Sequence, residues 1–232
     1  MFIAAARPSW EFRVATLSGL FRVKSAESVY GILNVAGFLD LSTVNGPGKR
    51  AVLWVQGCPL RCKDCFNSDL REFIPKKFMS IEMLSEKILG LPEIEGITFS
   101  GGEPFCQAQS LSELGDIIRK EGLNIVTFTG FPYHYIMKKD KPSWNALLDV
   151  TDLLVAGPFI PRLRCSAPMI SSSNQQLVHL TGRLEGRVNE CRDAGDITEF
   201  SISSEGVITT TGYTAGLLSR QGRPGVSGEG RL

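Results

Sequence analysis

The chain has 232 residues, 43% of them hydrophobic, with 25 basic against 24 acidic side chains. That length suits one medium domain with a substantial core, and the balanced charge argues against a polyanion such as nucleic acid as partner. No stretch nears the ~20 apolar residues of a membrane span. Residues 1–28, with Arg7, Glu11 and Arg13 among them, lack the continuous apolar run of a secretory signal, so a cytoplasmic protein is expected. Six cysteines in such a chain point to metal or redox chemistry rather than a disulfide framework.

Residues 1–28 show neither periodicity nor motif and are read as an N-terminal extension of unknown structure. Organisation begins near Tyr30, and residues 42–50, with Asn45-Gly46 and Pro47-Gly48, are turn punctuation. Residues 51–55 form a short apolar run with β-branched and aromatic members, a buried strand. It leads into the stretch on which the chain turns, Cys58-x3-Cys62-x2-Cys65. Three thiolates spaced in this way converge from one loop. A structural zinc site takes four ligands, and a cubane iron–sulfur cluster is normally held by four thiolates, so one ligand is supplied from elsewhere or one metal corner stays open.

A helix over 80–90 follows, capped by Ser80, apolar at Ile81, Leu84 and Ile88, and ended by Gly90. Residues 96–100 are a strand that breaks into Gly101-Gly102-Glu103-Pro104. Two glycines let this strand edge approach a ligand closely, and Glu103 is placed to accept from a ligand ammonium. The plainer alternative is a β-turn with an exposed acid. Ser110 and Glu113 make a capping box opening a second helix, ended by Gly122. A strand over 123–129, a helix over 144–149 and a strand over 152–155 continue the alternation. Residues 161–176 are a polar loop over the site face, 175–180 lead into a strand, 200–211 form a β-hairpin, and 214–232 are a flexible Gly/Arg-rich tail.

Repeated strand-to-helix alternation predicts an α/β fold with a mostly parallel sheet, and the strands are too few for eight. Cys106, Cys165 and Cys191 are scattered, and His134 and His179 form no ligand-spaced pair. A second cluster, a zinc hydrolase and a Cys–His nucleophile pair therefore gain no support.

The cysteine triplet with Phe66, followed by Ser100-Gly101-Gly102-Glu103-Pro104, resembles the radical S-adenosylmethionine (SAM) superfamily. Within it the chain is similar to the glycyl-radical-enzyme activating proteins, and most to the anaerobic ribonucleoside-triphosphate reductase-activating family. Residues 44–50, Gln56 to Cys58, Cys65 to Asn67, Thr129 to Phe131, Asp152 to Phe159 and Ser172 to Gln175 carry the likeness, which spans about Tyr30 to Tyr213. Members usually have Asp where Asn45 stands, His where Phe66 stands, and Gly and Arg where Ser171 and Gln176 stand.

The resemblance implies a partial TIM-type (β/α) barrel over residues 29–213 with a C-terminal β-hairpin. It also implies one [4Fe–4S] cluster on Cys58, Cys62 and Cys65, with SAM on the fourth iron. Cofactor contacts would come from Asp64, Cys65, Phe66, Ser100, Gly101, Gly102, Glu103 and Thr129, with no side-chain acid or base needed. The implied reaction is reductive cleavage of SAM to methionine and a 5′-deoxyadenosyl radical, which takes a hydrogen from a glycine of an anaerobic ribonucleotide reductase. A flavodoxin or ferredoxin would supply the electron. Two other readings stand beside this one. One is a radical SAM enzyme acting on a small molecule or peptide, such as a carboxydeazaguanine-synthase-like enzyme. The other is a structural zinc or electron-transfer module with Cys106 as fourth ligand.

Overall fold

The computed structural model describes residues 31–188 throughout, together with strands at 12–16, 19–23, 198–202 and 208–212. The expected tail at 214–232 and Cys191 lie outside the described residues. Within the N-terminal extension, β1 (Phe12–Thr16) and β2 (Gly19–Val23) pair antiparallel.

Seven strands form one sheet in the order β5-β3-β4-β6-β7-β8-β9. They are β3 (Ile32–Ser42), β4 (Arg50–Val55), β5 (Lys77–Ser80), β6 (Gly96–Gly101), β7 (Asn124–Thr129), β8 (Leu153–Ala156) and β9 (Gln176–His179). Strands β4, β6, β7 and β8 are parallel neighbours. Strand β5 runs with them, because it is antiparallel to β3, which is itself antiparallel to β4. Only β3 and β9 run against the rest. The sheet ends at β5 and β9 without closing, which is the incomplete barrel expected. The C-terminal hairpin is present as β10 (Thr198–Ile202) against β11 (Ile208–Gly212).

Helices α1 (Ile81–Leu89), α2 (Ala108–Lys120), α3 (Tyr133–Lys139) and α4 (Pro142–Val150) sit in the connections. The central strands are buried on both faces, which is why they read as unbroken apolar runs. In β8, Leu154 and Ala156 pack with residues of α1, α2 and α4, whereas Leu153 and Val155 join Val126 and Leu184 on the other face. Each fully buried Leu or Ile adds about 1.5–3 kcal/mol, so this two-sided burial dominates the stability.

Helix α1 follows expectation: the Met83 N–H donates to Ser80 Oγ at 3.2 Å, and Ile81, Leu84 and Ile88 are buried. Helix α2 does not. It begins at Ala108, continuing a 3-10 turn over Pro104–Gln107, so Ser110 lies buried inside the helix and Gln107 holds the N-cap position. Pro104 sets that turn, which starts the helix before the capping box is reached. Strand β5 and helix α3 were not foreseen: the first is four residues long, and the second buries only Ile136.

The N-terminal ends of the parallel strands are tied by Arg50, which is fully buried. Its Nε donates to Thr98 Oγ1 at 2.8 Å, and its terminal nitrogens donate to Asn124 Oδ1 at 2.8 Å, the Ile97 carbonyl at 3.1 Å and the Pro47 carbonyl. The turn read as punctuation thus supplies the guanidinium that joins β4, β6 and β7. Asn45 is held to the same side: it donates to Ser42 Oγ and to Thr211 Oγ1 of β11, and its carbonyl accepts from Thr98 Oγ1.

Candidate functional site

The cysteine loop leaves the C-terminal end of β4 and is seated by backbone pairing. Gly57 N–H donates to the Leu70 carbonyl and Cys58 N–H to that of Arg71, each at 2.9 Å. From the next strand, Gly102 N–H donates to the Val55 carbonyl at 2.7 Å and Glu103 N–H to that of Gly57 at 2.8 Å. A Cβ at Gly102 would collide with the Gly57 carbonyl, and Gly101 at φ 106° has Val55 backbone against it. Only glycines permit this approach. Asn67 Nδ2 closes the loop on the Gly101 carbonyl at 3.1 Å.

Cys58, Cys62 and Cys65 are free thiols, each partly exposed. Asp64, between the last two, takes a left-handed φ of 55°, which turns the backbone back on itself. Burial pushes the Cys58 thiol up to about 12, and the nearby Glu103, Cys65 and Cys62 add to the rise. Burial also raises Cys62, with Cys65 adding to the rise and the Phe159 backbone and Arg71 pulling it down. The thiols thus feel one another. Among the described residues no three His, Cys, Asp or Glu side chains converge as a metal-holding group.

Phe66 is 42% exposed, and its ring lies 5.9 Å from that of Phe159 on the loop leaving β8. That loop is clamped by its own polar side chains. Asn174 Nδ2 donates to the Pro158 carbonyl, Gln175 Nε2 to the Gly157 carbonyl, and Ser172 Oγ accepts from Ile160 N–H. The Ser172–Gln175 motif therefore holds Phe159 beside the cysteine loop.

The Glu103 carboxylate is engaged by the protein itself. The side chain is fully buried, and its carboxylate accepts from Phe105 N–H at 3.0 Å, Thr129 Oγ1 at 2.8 Å and Gly130 N–H at 2.9 Å. Burial raises it from 4.5 to about 7 against those three donors. Glu103 bolts the end of β6 to the end of β7, and Thr129 belongs to the same bolt. Ser100, beside Trp54 in register, and Gly101 and Gly102 remain as the strand edge next to the loop. Three contributors gave no sequence signal. Phe73 packs where a Gly57 Cβ would stand. Gln107 bridges the Asn34 and Gln56 carbonyls, and Arg71 Nη2 donates to the Cys62 carbonyl.

Three loop thiols, a left-handed turn between two of them and a glycine edge bare of side chains fit a cubane cluster with one open corner. Residues 44–179 match the family described as the 4Fe–4S single cluster domain. The chain belongs to this family. Within the 4Fe–4S single cluster family it groups with the radical SAM activating proteins of glycyl-radical enzymes. It is 32% identical over 127 residues to the pyruvate formate-lyase 1-activating enzyme of Escherichia coli, covering 52% of this chain and 50% of that protein. The pyruvate formate-lyase-activating enzymes of Clostridium pasteurianum and Staphylococcus aureus are 33% and 37% identical over 117 and 122 residues. These matches cover 48% and 50% of this chain, and 49% of each relative. The chain thus spans about half the length of the curated relatives it matches. Membership brings the two expected cofactors, a 4Fe–4S cluster and SAM. Among the described residues no helix is long and apolar enough to cross a membrane.

Proposed function

We propose that this chain is a cytoplasmic radical SAM activase that installs a glycyl radical on a partner enzyme, with residues 29–213 as its working unit. The observation that carries the reading is the pairing of the cysteine loop with the Gly101-Gly102 edge at one end of the sheet. Cys58, Cys62 and Cys65 would hold the cluster, and the bare edge from Ser100 to Gly102 would receive SAM. When bound, the cluster would supply the one-electron chemistry of reductive SAM cleavage.

This chain's own work is placement. Glu103 and Thr129 keep the edge and the β7 end in register, and the Asp64–Phe66 backbone would bind the nucleoside end of SAM. Phe66 and Phe159 wall the site and exclude water, protecting a reactive species from side reactions. No side-chain acid or base is required, in keeping with a chain of two histidines.

The partner class follows from the relatives' names, and two members of it are distinguished by experiment. The turn at 44–50 and the Asp152–Phe159 and Ser172–Gln175 motifs favour an anaerobic ribonucleotide reductase. The relatives named above favour a pyruvate formate-lyase. Anaerobically reconstituted protein, given SAM and a flavodoxin or ferredoxin, is expected to release 5′-deoxyadenosine and to give one of the two partners a glycyl radical signal in electron paramagnetic resonance. SAM cleavage with no signal in either partner would instead favour a small-molecule or peptide substrate.

A further inference from the structure

Arg71 follows the cysteine loop by six residues and lies beneath it. Its backbone carbonyl accepts from Cys58 N–H at 2.9 Å, and its Nη2 donates to the Cys62 carbonyl at 2.5 Å. One guanidinium and one peptide unit therefore grip the first and second cysteines together. The side chain is only partly exposed, and its Nε is a buried donor without a partner among the described residues. Leaving such a donor unpaired is unfavourable, the more so for a charged group. The loop's other cations, Arg61 and Lys63, are exposed, so water and salt screen them.

We propose that Arg71 is a positioning and charge-compensating residue for the three-cysteine site, an inference that rests on the cluster reading above. Three thiolates around an iron–sulfur core are anionic, and each added electron makes the assembly more so. A guanidinium fixed against the loop favours the electron-rich state more than a mobile surface lysine does. In the redox step one electron passes from an external one-electron donor to the cluster. The donor is oxidised, the cluster is reduced, and no covalent bond of the protein changes. Arg71 takes no electron or proton. It makes the reduction easier and keeps Cys62 in place.

The test is a potentiometric titration of the full chain reconstituted with iron and sulfide, using dithionite as reductant and the reduced cluster's paramagnetic signal as readout. Arg71→Gln is expected to move the midpoint potential in the negative direction. Arg71→Lys, which keeps the charge but loses the fork, is expected to move it less, and Arg61→Gln and Lys63→Gln least. If Arg71→Gln takes up less iron, the potential of its loaded fraction still reports the charge. A wild-type potential in Arg71→Gln, or an equal shift in all three glutamine variants, overturns the proposal and leaves the activase reading intact. Wild-type protein that takes up no iron and sulfide overturns both.

Discussion

The two ends of the parallel sheet are made by the same strands but solve opposite problems. At the N-terminal end a charged side chain, Arg50, is fully buried and meets four acceptors from three elements. At the C-terminal end the thiols are half-buried, and Gln56 Oε1, Arg71 Nε and Asn174 Oδ1 are buried without partners among the described residues, a fourth such atom being Glu199 Oε2 of β10, opposite Thr211. Buried polar groups are normally satisfied, so the Arg50 network reads as fastening, and three orphans gathered at the other end of the sheet read as a place kept for something else to bind. Strand polarity gives the reason. Loops leaving the C-terminal ends of parallel strands converge around a crevice, whereas the N-terminal ends can be sewn shut.

Removing Arg50 should produce the largest loss. Arg50→Met leaves Thr98, Asn124 and two carbonyls short of a charged donor, with an expected cost of about 3–5 kcal/mol. Urea unfolding measures it. Iron uptake per folded chain should stay at the wild-type level, because the guanidinium lies at the far end of β4 from Cys58. A cost below about 1 kcal/mol would mean the N-terminal end is not the fastening it looks to be.

Glu103→Gln should come next and break the other end. Its new amide group faces N–H donors where a carboxylate oxygen accepted them, at an expected cost of about 1–3 kcal/mol. The pH dependence has a definite sign. Folding raises Glu103 from 4.5 to about 7 by burial, so the folded chain holds the proton longer than the unfolded chain. This group's contribution is fully present below 4.5, declines as pH rises through that window, and is flat above about 7. Stability measured from pH 4.5 to 7 should lose that part of its slope in the glutamine variant. An unchanged slope would show that Glu103 is not the group responsible.

What was legible in the sequence follows the same division. The central strands, α1 and the cysteine loop could be read because unbroken apolar runs, a 3.6-residue period and close thiol spacing are local signals. The start of α2 could not, because Pro104 imposes a turn that the capping box at Ser110 does not reveal. The burial of Glu103 was hidden as well. A glutamate after two glycines looks exposed until β7 supplies Thr129 and the Gly130 N–H, 26 and 27 residues later. Arg50 and Arg71 looked like two surface cations among 25, since burial of a guanidinium depends on acceptors distant in sequence.

A smaller effect is expected at Asn45, in the turn that leads into β4. Asn45→Asp removes the amide that donates to Ser42 Oγ at 2.8 Å and Thr211 Oγ1 at 2.9 Å. The Thr211 hydroxyl can turn to donate to the new carboxylate, as it already does to Asn45 Oδ1, so the loss should be about 0.5–1.5 kcal/mol. Hydrogen exchange at β11 reads it directly: faster exchange there, with no change in the cysteine loop, places the substitution among the fastenings. Faster exchange in the cysteine loop instead would tie Asn45 to the site and blur the two ends.

The smallest effect on stability should come from the residues that matter most to function. Cys58, Cys62 and Cys65 are partly exposed and their thiols lie on a loop seated by backbone hydrogen bonds, so serine at any of them leaves those bonds untouched. Urea midpoints of the metal-free Cys58→Ser, Cys62→Ser and Cys65→Ser chains should fall within about 0.5 kcal/mol of wild type, as for changes away from core packing. Iron and sulfide uptake should collapse in all three, because each removes one iron's only protein thiolate. Cys106→Ser and Cys165→Ser should keep uptake intact. Loss of iron in Cys106→Ser would instead make that residue a fourth ligand, close the open corner, and leave no place for SAM at the end of the sheet that the fold keeps unfastened.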